Sequence, residues 1–189
     1  MIQMGVHDII WGQLTDSMNI EQGGTLIRNQ FIHPRTEPEI AFKIKKRIDK
    51  IISIEEVTDY IEAVTGALEV IDSRYEKFKF SLEDVIADNC SSSAYVLGEW
   101  LPPSTSVQDL SISLMINGKE AKSGNSNAIL GNPLESLVEI SKMMVQYNQV
   151  LEAGKIILAG AATAAVHIHK EDKIEAHFEN LGIVKFNVE

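Results

Sequence analysis

The chain has 189 residues, a length that suits one domain spanning residues 1–189. Its 44% apolar and 23% charged residues exclude disordered and fibrous classes of protein. Seventeen basic against 27 acidic residues give a net charge of −10, which argues against nucleic acid or an anionic membrane as the main partner. The single cysteine, Cys90, excludes an internal disulfide framework.

The first half of the chain predicts extended segments with short helices between them. Residues 31–44 are mostly β-like, and their two prolines restrict them to an edge strand, a bulge or an irregular extended run. The capping-box pattern of residues 53–56 predicts a helix that runs to about Ala63. Strands are then predicted for residues 67–73 and 93–100, with a short serine-capped helix at 81–87 between them.

The second half is richer in strands. Residues 110–116 predict a strand, and Asn117-Gly118 after it is typical of a type I′ hairpin turn. The sequence NPLE at 132–135 begins the longest predicted helix. Four strand-like segments follow, at 156–159, 164–169, 173–178 and 182–188. This order lacks βαβ alternation and predicts a β-rich α+β fold with two or three helices.

No export signal or membrane span is visible in the sequence. The N-terminal residues have neither a basic start nor a long apolar core. The most apolar run, IILAGAATAAV at 156–166, is far shorter than the roughly 20 residues needed to cross a bilayer. The sequence therefore predicts a soluble, cytoplasmic protein.

The sharpest chemical feature is the pair Glu37 and Glu39. On an extended backbone, residues two apart share a face and lie about 7 Å apart along the strand. Two such carboxylates repel each other unless a cation or solvent separates them, and Mg²⁺ or Mn²⁺ accepts oxygen ligands of this kind. From the spacing alone, a solvated acidic edge is the more common explanation of such a pair.

A second acidic candidate is Glu69, which shares a strand face with Ala67 and Ile71. If this side chain points inward, it needs a metal ion, an arginine or a proton, because a buried unpaired carboxylate is costly. If it points outward, it is an ordinary surface residue. The residues alone leave both interpretations open.

Other candidates favour structural roles. Cys90 and the serines that follow it lack a nucleophile-elbow motif, and turn or cap roles are more typical of such residues. His167 and His169 would share one strand face, but a turn sequence follows them, which favours a solvated strand end over a metal pair.

Five segments, taken in chain order, carry a resemblance to a known family. Together they extend over nearly the whole chain and resemble the hydratase/decarboxylase branch of the fumarylacetoacetate hydrolase superfamily, which acts in meta-cleavage degradation of aromatic compounds. The segments are PRTEPEIAF at 34–42, ALEVIDSRY at 67–75, DVIADN at 84–89, LGNPL at 130–134 and LAGAATAAV at 158–166.

The resemblance implies a fold and a metal site. The fold is a mixed β-roll with flanking helices. The metal is Mg²⁺ or Mn²⁺, and its ligands, carried over residue by residue, are Glu37, Glu39 and Glu69. Arg35, Asn89 and Ser91 are the candidates for holding the carboxylates of a small oxo-dicarboxylate substrate.

Two activities are known in this branch: decarboxylation of 2-oxo-3-hexenedioate and hydration of 2-hydroxypenta-2,4-dienoate. The stretch AGAATAAV at 159–166 resembles the decarboxylases, and Ile10 stands where family members usually carry an acid. Both features favour the decarboxylase over the hydratase.

The resemblance also implies an N-terminal region, with a lysine near the site, that this sequence does not include. The catalytic acid or base therefore stays unassigned. A shortened, non-catalytic partner subunit is the alternative to an enzyme. The family further implies a homo-oligomer and a complex between decarboxylase and hydratase.

Overall fold

The computed structural model describes residues 9–189, which form two β-sheets with two α-helices beside them. The helices are α1 (Leu82–Ala87) and α2 (Glu135–Gln146). The strands are β1 (Asn19–Ile20), β2 (Thr25–Leu26), β3 (Arg35–Ile44), β4 (Ile61–Ile71), β5 (Ser92–Leu97), β6 (Ser111–Ile116), β7 (Lys119–Asn125), β8 (Ile156–Ala161), β9 (Val166–His167), β10 (Lys173–Phe178) and β11 (Gly182–Val188).

Both sheets are mixed. The first has the strand order β1-β5-β4-β3-β8, with β9 also paired to β3, and the second has the order β2-β11-β10-β6-β7. The short pairs β1–β5 and β2–β11 are parallel, whereas the other named pairs are antiparallel. This architecture confirms the predicted α+β class.

The hydrophobic core lies between the two sheets. Alternation along β3 places Ile40 and Phe42 on the core side, and neither side chain is exposed. Phe178 and Phe186 of the second sheet belong to the same buried cluster. The sheets approach so closely that a Cβ added to Gly66 would lie 2.6 Å from the Phe178 ring, so this position requires glycine. Because the core covers only one face of β3, the side chains on its other face do not take part in the packing between the sheets.

The strand β3 is internal, so the structure excludes the edge strand among the predicted alternatives, and its pairing with β8 is irregular between Glu39 and Ala41. Pro38 is tolerated there because it faces the gap between β9, which pairs with Arg35 and Thr36, and β8, which pairs from Glu39 onward. Its carbonyl accepts a hydrogen bond from the N–H of Ala162 at 2.9 Å on that side. The missing proline N–H thus interrupts no regular ladder.

The helix predicted after residue 53 is wrong. The Ser53 backbone N–H does donate to the Glu56 carboxylate at 3.0 Å, as in a capping box. The chain then makes only a short 3₁₀ turn, Val57–Tyr60, before β4 begins at Ile61. Pairing of β4 with β3 along its whole length outweighs the local helix signal.

The other local signals are confirmed. Ser81 caps α1 with both halves of a capping box, and Asn117-Gly118 turns between β6 and β7 with φ values of 53° and 75°. The four C-terminal strand segments also form, as β8 to β11. Among residues 9–189, no helix combines the length and apolar character that crossing a membrane requires.

Candidate metal centre

Three glutamates meet on the face of β3 and β4 that points away from the core. Glu37 pairs directly with Glu69 across the two strands, and Glu39 pairs with Ala67. Residues two apart share a face, so all three carboxyl groups project to the same side. Each offers an oxygen within 4.8 Å of an oxygen of the other two. The strand register thus brings the three predicted ligands together.

Glu39 is the most deeply buried of the three, with 2% of its surface exposed. Its Oε2 accepts a hydrogen bond of 2.7 Å from the backbone N–H of Gly160 in β8. Gly160 has a φ of +110°, in a region that L-residues avoid, and it lies where the pairing of β3 with β8 shifts register. The irregular pairing thus points the N–H of Gly160 at the Glu39 carboxyl group and holds its Oε2 in place by the hydrogen bond.

Burial and mutual repulsion disfavour the charged forms of these carboxyl groups. Burial, followed by the charge of Glu69, raises the pKa of Glu37 to about 8. The pKa of Glu39 rises well above its usual value, because of burial and then the charges of Glu69 and Glu37. Burial also raises the pKa of Glu69. Without a cation, the cluster therefore holds protons at neutral pH.

The donor set fits a hard divalent cation. Carboxylate oxygens are the ligands that Mg²⁺ and Mn²⁺ accept, and three such groups converge here. A cation among them would reverse both causes of the raised pKa values, since it offsets the desolvation and screens the repulsion. Among the described residues, no lysine or arginine forms an ion pair with any of the three.

Arg35 lies on the same face of β3, two residues before Glu37. Its guanidinium carbon stands 4.2 Å above the centre of the Phe78 ring. Its Nε is buried and has no hydrogen-bond partner among residues 9–189. The structure thus places this predicted substrate-binding residue beside the glutamates with unused hydrogen-bonding capacity; its role in binding stays a prediction.

The other two predicted substrate-binding residues already hold the fold together. The Ser91 hydroxyl lies 3.3 Å from the buried carboxylate of Asp88 and donates to it. The Asn89 side chain accepts from the N–H of Gln13 at 2.7 Å and donates to its carbonyl at 3.0 Å. Asn89 and Ser91 also belong to a three-residue turn with φ values of 52° to 61°. Their assignment to substrate binding remains a prediction.

Two residues that sequence reasoning missed lie near the cluster. His33 Nε2 and Ser92 Oγ are buried without a hydrogen-bond partner in the described part of the chain. Ser92 begins β5, the neighbour of β4. Neither residue stands in a recognisable motif, so only the sheet pairing could have identified them.

Cys90 and the histidine pair do not join the site. Burial raises the pKa of Cys90 to about 11, so its thiol stays protonated at neutral pH and is a poor nucleophile. His167 and His169 are exposed, with ring centroids 6.5 Å apart. Both observations agree with the structural roles that the sequence favoured.

The sequence is similar to those of named enzymes. A 4-oxalocrotonate decarboxylase from Pseudomonas sp is 46% identical over 187 residues, which are 99% of this chain and 73% of that protein. A 2-keto-4-pentenoate hydratase from Paraburkholderia xenovorans is 32% identical over 191 residues, covering 99% of this chain and 71% of the hydratase.

The fold also matches a solved structure. The 4-oxalocrotonate decarboxylase from Pseudomonas putida G7, complexed with magnesium and adipate, superimposes with a TM-score of 0.94 at 32% identity, covering 100% of this chain and 73% of that one. The family profile described as fumarylacetoacetate (FAA) hydrolase C-terminal matches residues 3–189. The chain therefore belongs to the fumarylacetoacetate hydrolase family.

Proposed function

We propose that residues 1–189 form a single catalytic domain that decarboxylates 2-oxo-3-hexenedioate to 2-hydroxypenta-2,4-dienoate with the help of a divalent cation. The observation that carries the proposal is the convergence of Glu37, Glu39 and Glu69, one buried and two partly buried carboxyl groups that form no ion pair with a lysine or arginine among the described residues. The 46% identity to a 4-oxalocrotonate decarboxylase supports this choice of reaction.

The three glutamates would hold the cation, Mg²⁺ or Mn²⁺, through one oxygen each. The backbone N–H of Gly160 holds Glu39 Oε2 by its 2.7 Å hydrogen bond. When bound, the cation supplies Lewis-acid stabilisation of negative charge on the oxygens of a 2-oxo acid. The structural relative complexed with magnesium and adipate supports both the ion and a dicarboxylate ligand.

The proposed reaction needs no redox partner. The C5–C6 bond of the substrate breaks and C6 leaves as CO₂. The bonding electron pair passes through the conjugated chain to the C2 oxygen, and one proton added there gives 2-hydroxypenta-2,4-dienoate. The rate therefore depends on stabilising the charge that develops on the C2 oxygen.

The residues of this chain contribute to the proposed reaction in two ways: they position the metal ligands, and they supply positive charge near them. The sheet holds the three carboxylates on rigid strands rather than on loops, so that their geometry is fixed before the substrate binds. Arg35 supplies a positive charge on the same face, next to Glu37. The group that donates the final proton stays unassigned.

Hydration of 2-hydroxypenta-2,4-dienoate is the second candidate activity. It is favoured by the 32% identity to a 2-keto-4-pentenoate hydratase over 99% of this chain. The same carboxylates would hold the cation, but the product would gain water and no CO₂ would form. A non-catalytic partner subunit, a homo-oligomer and a complex with the hydratase of the pathway also remain predictions.

The test is an assay of CO₂ release from 2-oxo-3-hexenedioate by this chain, with Mg²⁺ and with a chelator, beside the Glu39→Ala variant. We expect release that requires both Mg²⁺ and Glu39. Loss of the dienoate absorbance without CO₂ release, when 2-hydroxypenta-2,4-dienoate is supplied, would indicate the hydratase instead. Neither reaction, with Mg²⁺ still bound, would contradict catalysis by this chain and support the partner subunit.

A further inference from the structure

A small cluster beside the glutamates has hydrogen-bonding groups that nothing in the described chain uses. It consists of Arg35 at the start of β3, His33 just before it, and Phe78 in the turn that follows β4. The Phe78 ring contacts both of the other side chains. Its centroid is 4.2 Å from the Arg35 guanidinium carbon and 4.8 Å from the centroid of the His33 ring.

Two polar atoms of this cluster are buried without a hydrogen-bond partner. Arg35 Nε and His33 Nε2 have no hydrogen-bond partner among residues 9–189, and no acidic side chain there forms an ion pair with Arg35. A buried donor of a charged group that lacks a partner is costly, and such groups are normally satisfied. The unused donor of Arg35 beside the glutamates therefore points to a missing ligand that supplies an acceptor.

The backbone on both sides of the cluster has an unusual conformation or additional hydrogen bonds. Lys77 and Phe78 have φ values of 57° and 54°, which are uncommon for residues other than glycine. The buried carboxylate of Asp72 accepts hydrogen bonds from the N–H groups of Ile32 at 2.8 Å and His33 at 2.7 Å. The ring and the residues it contacts are thus fixed from two sides.

The position of Arg35 relates the cluster to the carboxylate site. It lies two residues from Glu37 on the same face of β3, a separation of about 7 Å along a strand. This backbone spacing is comparable to the length of a short dicarboxylic acid. The planar fork of a guanidinium next to the glutamates matches the geometry of a carboxylate.

We propose that Arg35, held by Phe78 and assisted by His33, binds the second carboxylate of the substrate and so makes the site selective for dicarboxylates. This inference rests on the proposed function, because it assumes that the 2-oxo-acid end of the substrate lies at the glutamates. Arg35 is then a residue that determines specificity for a dicarboxylic rather than a monocarboxylic acid.

Such a contact acts on affinity more than on the chemical step. The second carboxylate leaves as CO₂ and loses its charge in the transition state. An ion pair with it therefore stabilises the bound substrate at least as much as the transition state. Loss of Arg35 should raise KM for 2-oxo-3-hexenedioate, while kcat stays unchanged or rises slightly.

The experiment compares two unreactive six-carbon acids, adipate and hexanoate, by calorimetric titration of the Mg²⁺-loaded protein. The wild type should bind adipate more tightly. Arg35→Gln should weaken adipate about 10- to 100-fold and leave hexanoate within about twofold. Arg35→Lys, which keeps the charge but loses the planar fork, should recover part of the preference. Arg47→Gln, a change at an exposed arginine on the surface, is the matched control and should leave the preference intact.

The outcomes separate this inference from the proposed function. Equal affinity of the wild type for the two acids, or an Arg35→Gln variant that keeps the full preference for adipate, would overturn the dicarboxylate subsite. Titration of Mg²⁺ into the same proteins is read independently. Failure of the wild type to bind Mg²⁺ would overturn the proposed function, whereas loss of Mg²⁺ binding in Arg35→Gln alone would show that Arg35 supports the glutamates rather than the substrate.

Discussion

Asp88 and the three glutamates are two sets of acids with opposite surroundings in this protein. Asp88, with 4% of its surface exposed, accepts hydrogen bonds from the hydroxyls of Ser73 and Ser91 at 3.3 Å each and from the backbone N–H of Arg74 at 3.0 Å. It also pairs with the Arg74 guanidinium. The three glutamates of β3 and β4 have one backbone donor, Gly160, and no cationic partner in the described chain.

The difference distinguishes a structural acid from a binding one. A carboxylate whose oxygens are satisfied inside the fold adds to stability and has little capacity left for a ligand. Carboxyl groups that repel one another in a poorly solvated place are tolerated when a bound cation neutralises their charges. Neutralising Asp88 should therefore lower stability with little change in Mg²⁺ affinity. Neutralising one of the glutamates should lower Mg²⁺ affinity without lowering the stability of the metal-free protein.

The largest effect is expected from Glu69→Gln. The change removes a charged ligand oxygen on β4 and leaves the size of the side chain unchanged. Mg²⁺ affinity should fall by about 100-fold or more, and CO₂ release by about 1,000-fold, because the Lewis-acid contribution is worth several kcal/mol. Calorimetric titration of Mg²⁺ and the CO₂ assay measure the two losses.

The matched control is Glu62→Gln on the same strand. Glu62 is an exposed residue that pairs with Lys43 at 2.7 Å on the surface. This variant should keep Mg²⁺ affinity and activity within about twofold, since exposed ion pairs contribute little. A Glu69→Gln variant that behaves like Glu62→Gln would contradict the assignment of Glu69 as a ligand.

Asp88→Asn tests the structural acid. The amide cannot accept on both sides, so buried hydroxyls and an N–H around it lose a partner. The free energy of unfolding should fall by about 1–3 kcal/mol in urea titrations. The exposed guanidinium of Arg74 contributes little to this loss, because solvent screens it.

The contrast is with Glu69→Gln, which should make the metal-free protein more stable at neutral pH, because the amide needs no proton to be buried. If both variants lost the same stability, the distinction between the structural and the binding acids would be wrong. Mg²⁺ affinity of Asp88→Asn, measured where the variant is folded, should change far less than that of Glu69→Gln.

The pH dependence of stability follows from the raised pKa values. Glu37 has a pKa of about 8 in the folded chain against an ordinary value of 4.5, so between these values the folded state binds a proton that the unfolded state has lost. The metal-free protein should therefore lose stability as pH rises from about 5 to 8, with a slope of up to about 1.4 kcal/mol per pH unit for each such proton.

The measurement is a series of urea titrations of the metal-free protein between these pH values. Glu37→Gln should reduce the slope, and saturating Mg²⁺ should reverse it, because the cation binds the deprotonated carboxylates. A wild-type stability that does not vary with pH would show that these carboxyl groups ionise freely in the folded chain.

Much of the fold could be predicted from the sequence because its signals are local. The hairpin turn at Asn117-Gly118, the capped helix α1 and the C-terminal strands each depend on neighbouring residues. The failed helix after Ser53 shows the limit of such signals. There the local capping box forms, but long-range pairing of β4 with β3 decides the conformation of the following residues.

The site was predictable to a different degree for each residue. Strand periodicity alone places Glu37 and Glu39 on one face, so their proximity could be derived. The contribution of Glu69 depends on the register between two strands separated by a turn, and it came from the family resemblance rather than from spacing. The N–H of Gly160 and the ring of Phe78 are brought in from distant parts of the chain, and no local pattern indicates them.

The smallest expected effect concerns Gly160, the one backbone donor to the glutamates. Gly160→Ala introduces a Cβ at a φ of +110°, so the backbone should move away and the 2.7 Å hydrogen bond to Glu39 should lengthen or break. Mg²⁺ affinity should fall by about tenfold, as is typical when a residue that orients a metal ligand is lost.

Gly154→Ala separates this effect from strain alone. Gly154 also has a positive φ, of +82°, and no atom lies within 4 Å of an added Cβ, so the substitution strains the backbone without touching the glutamates. Both variants should lose stability in urea titrations, but only Gly160→Ala should lose Mg²⁺ affinity. Equal Mg²⁺ affinity in the two would mean that Glu39 is held by the packing around it, and that the irregular pairing of β8 serves the fold rather than the metal.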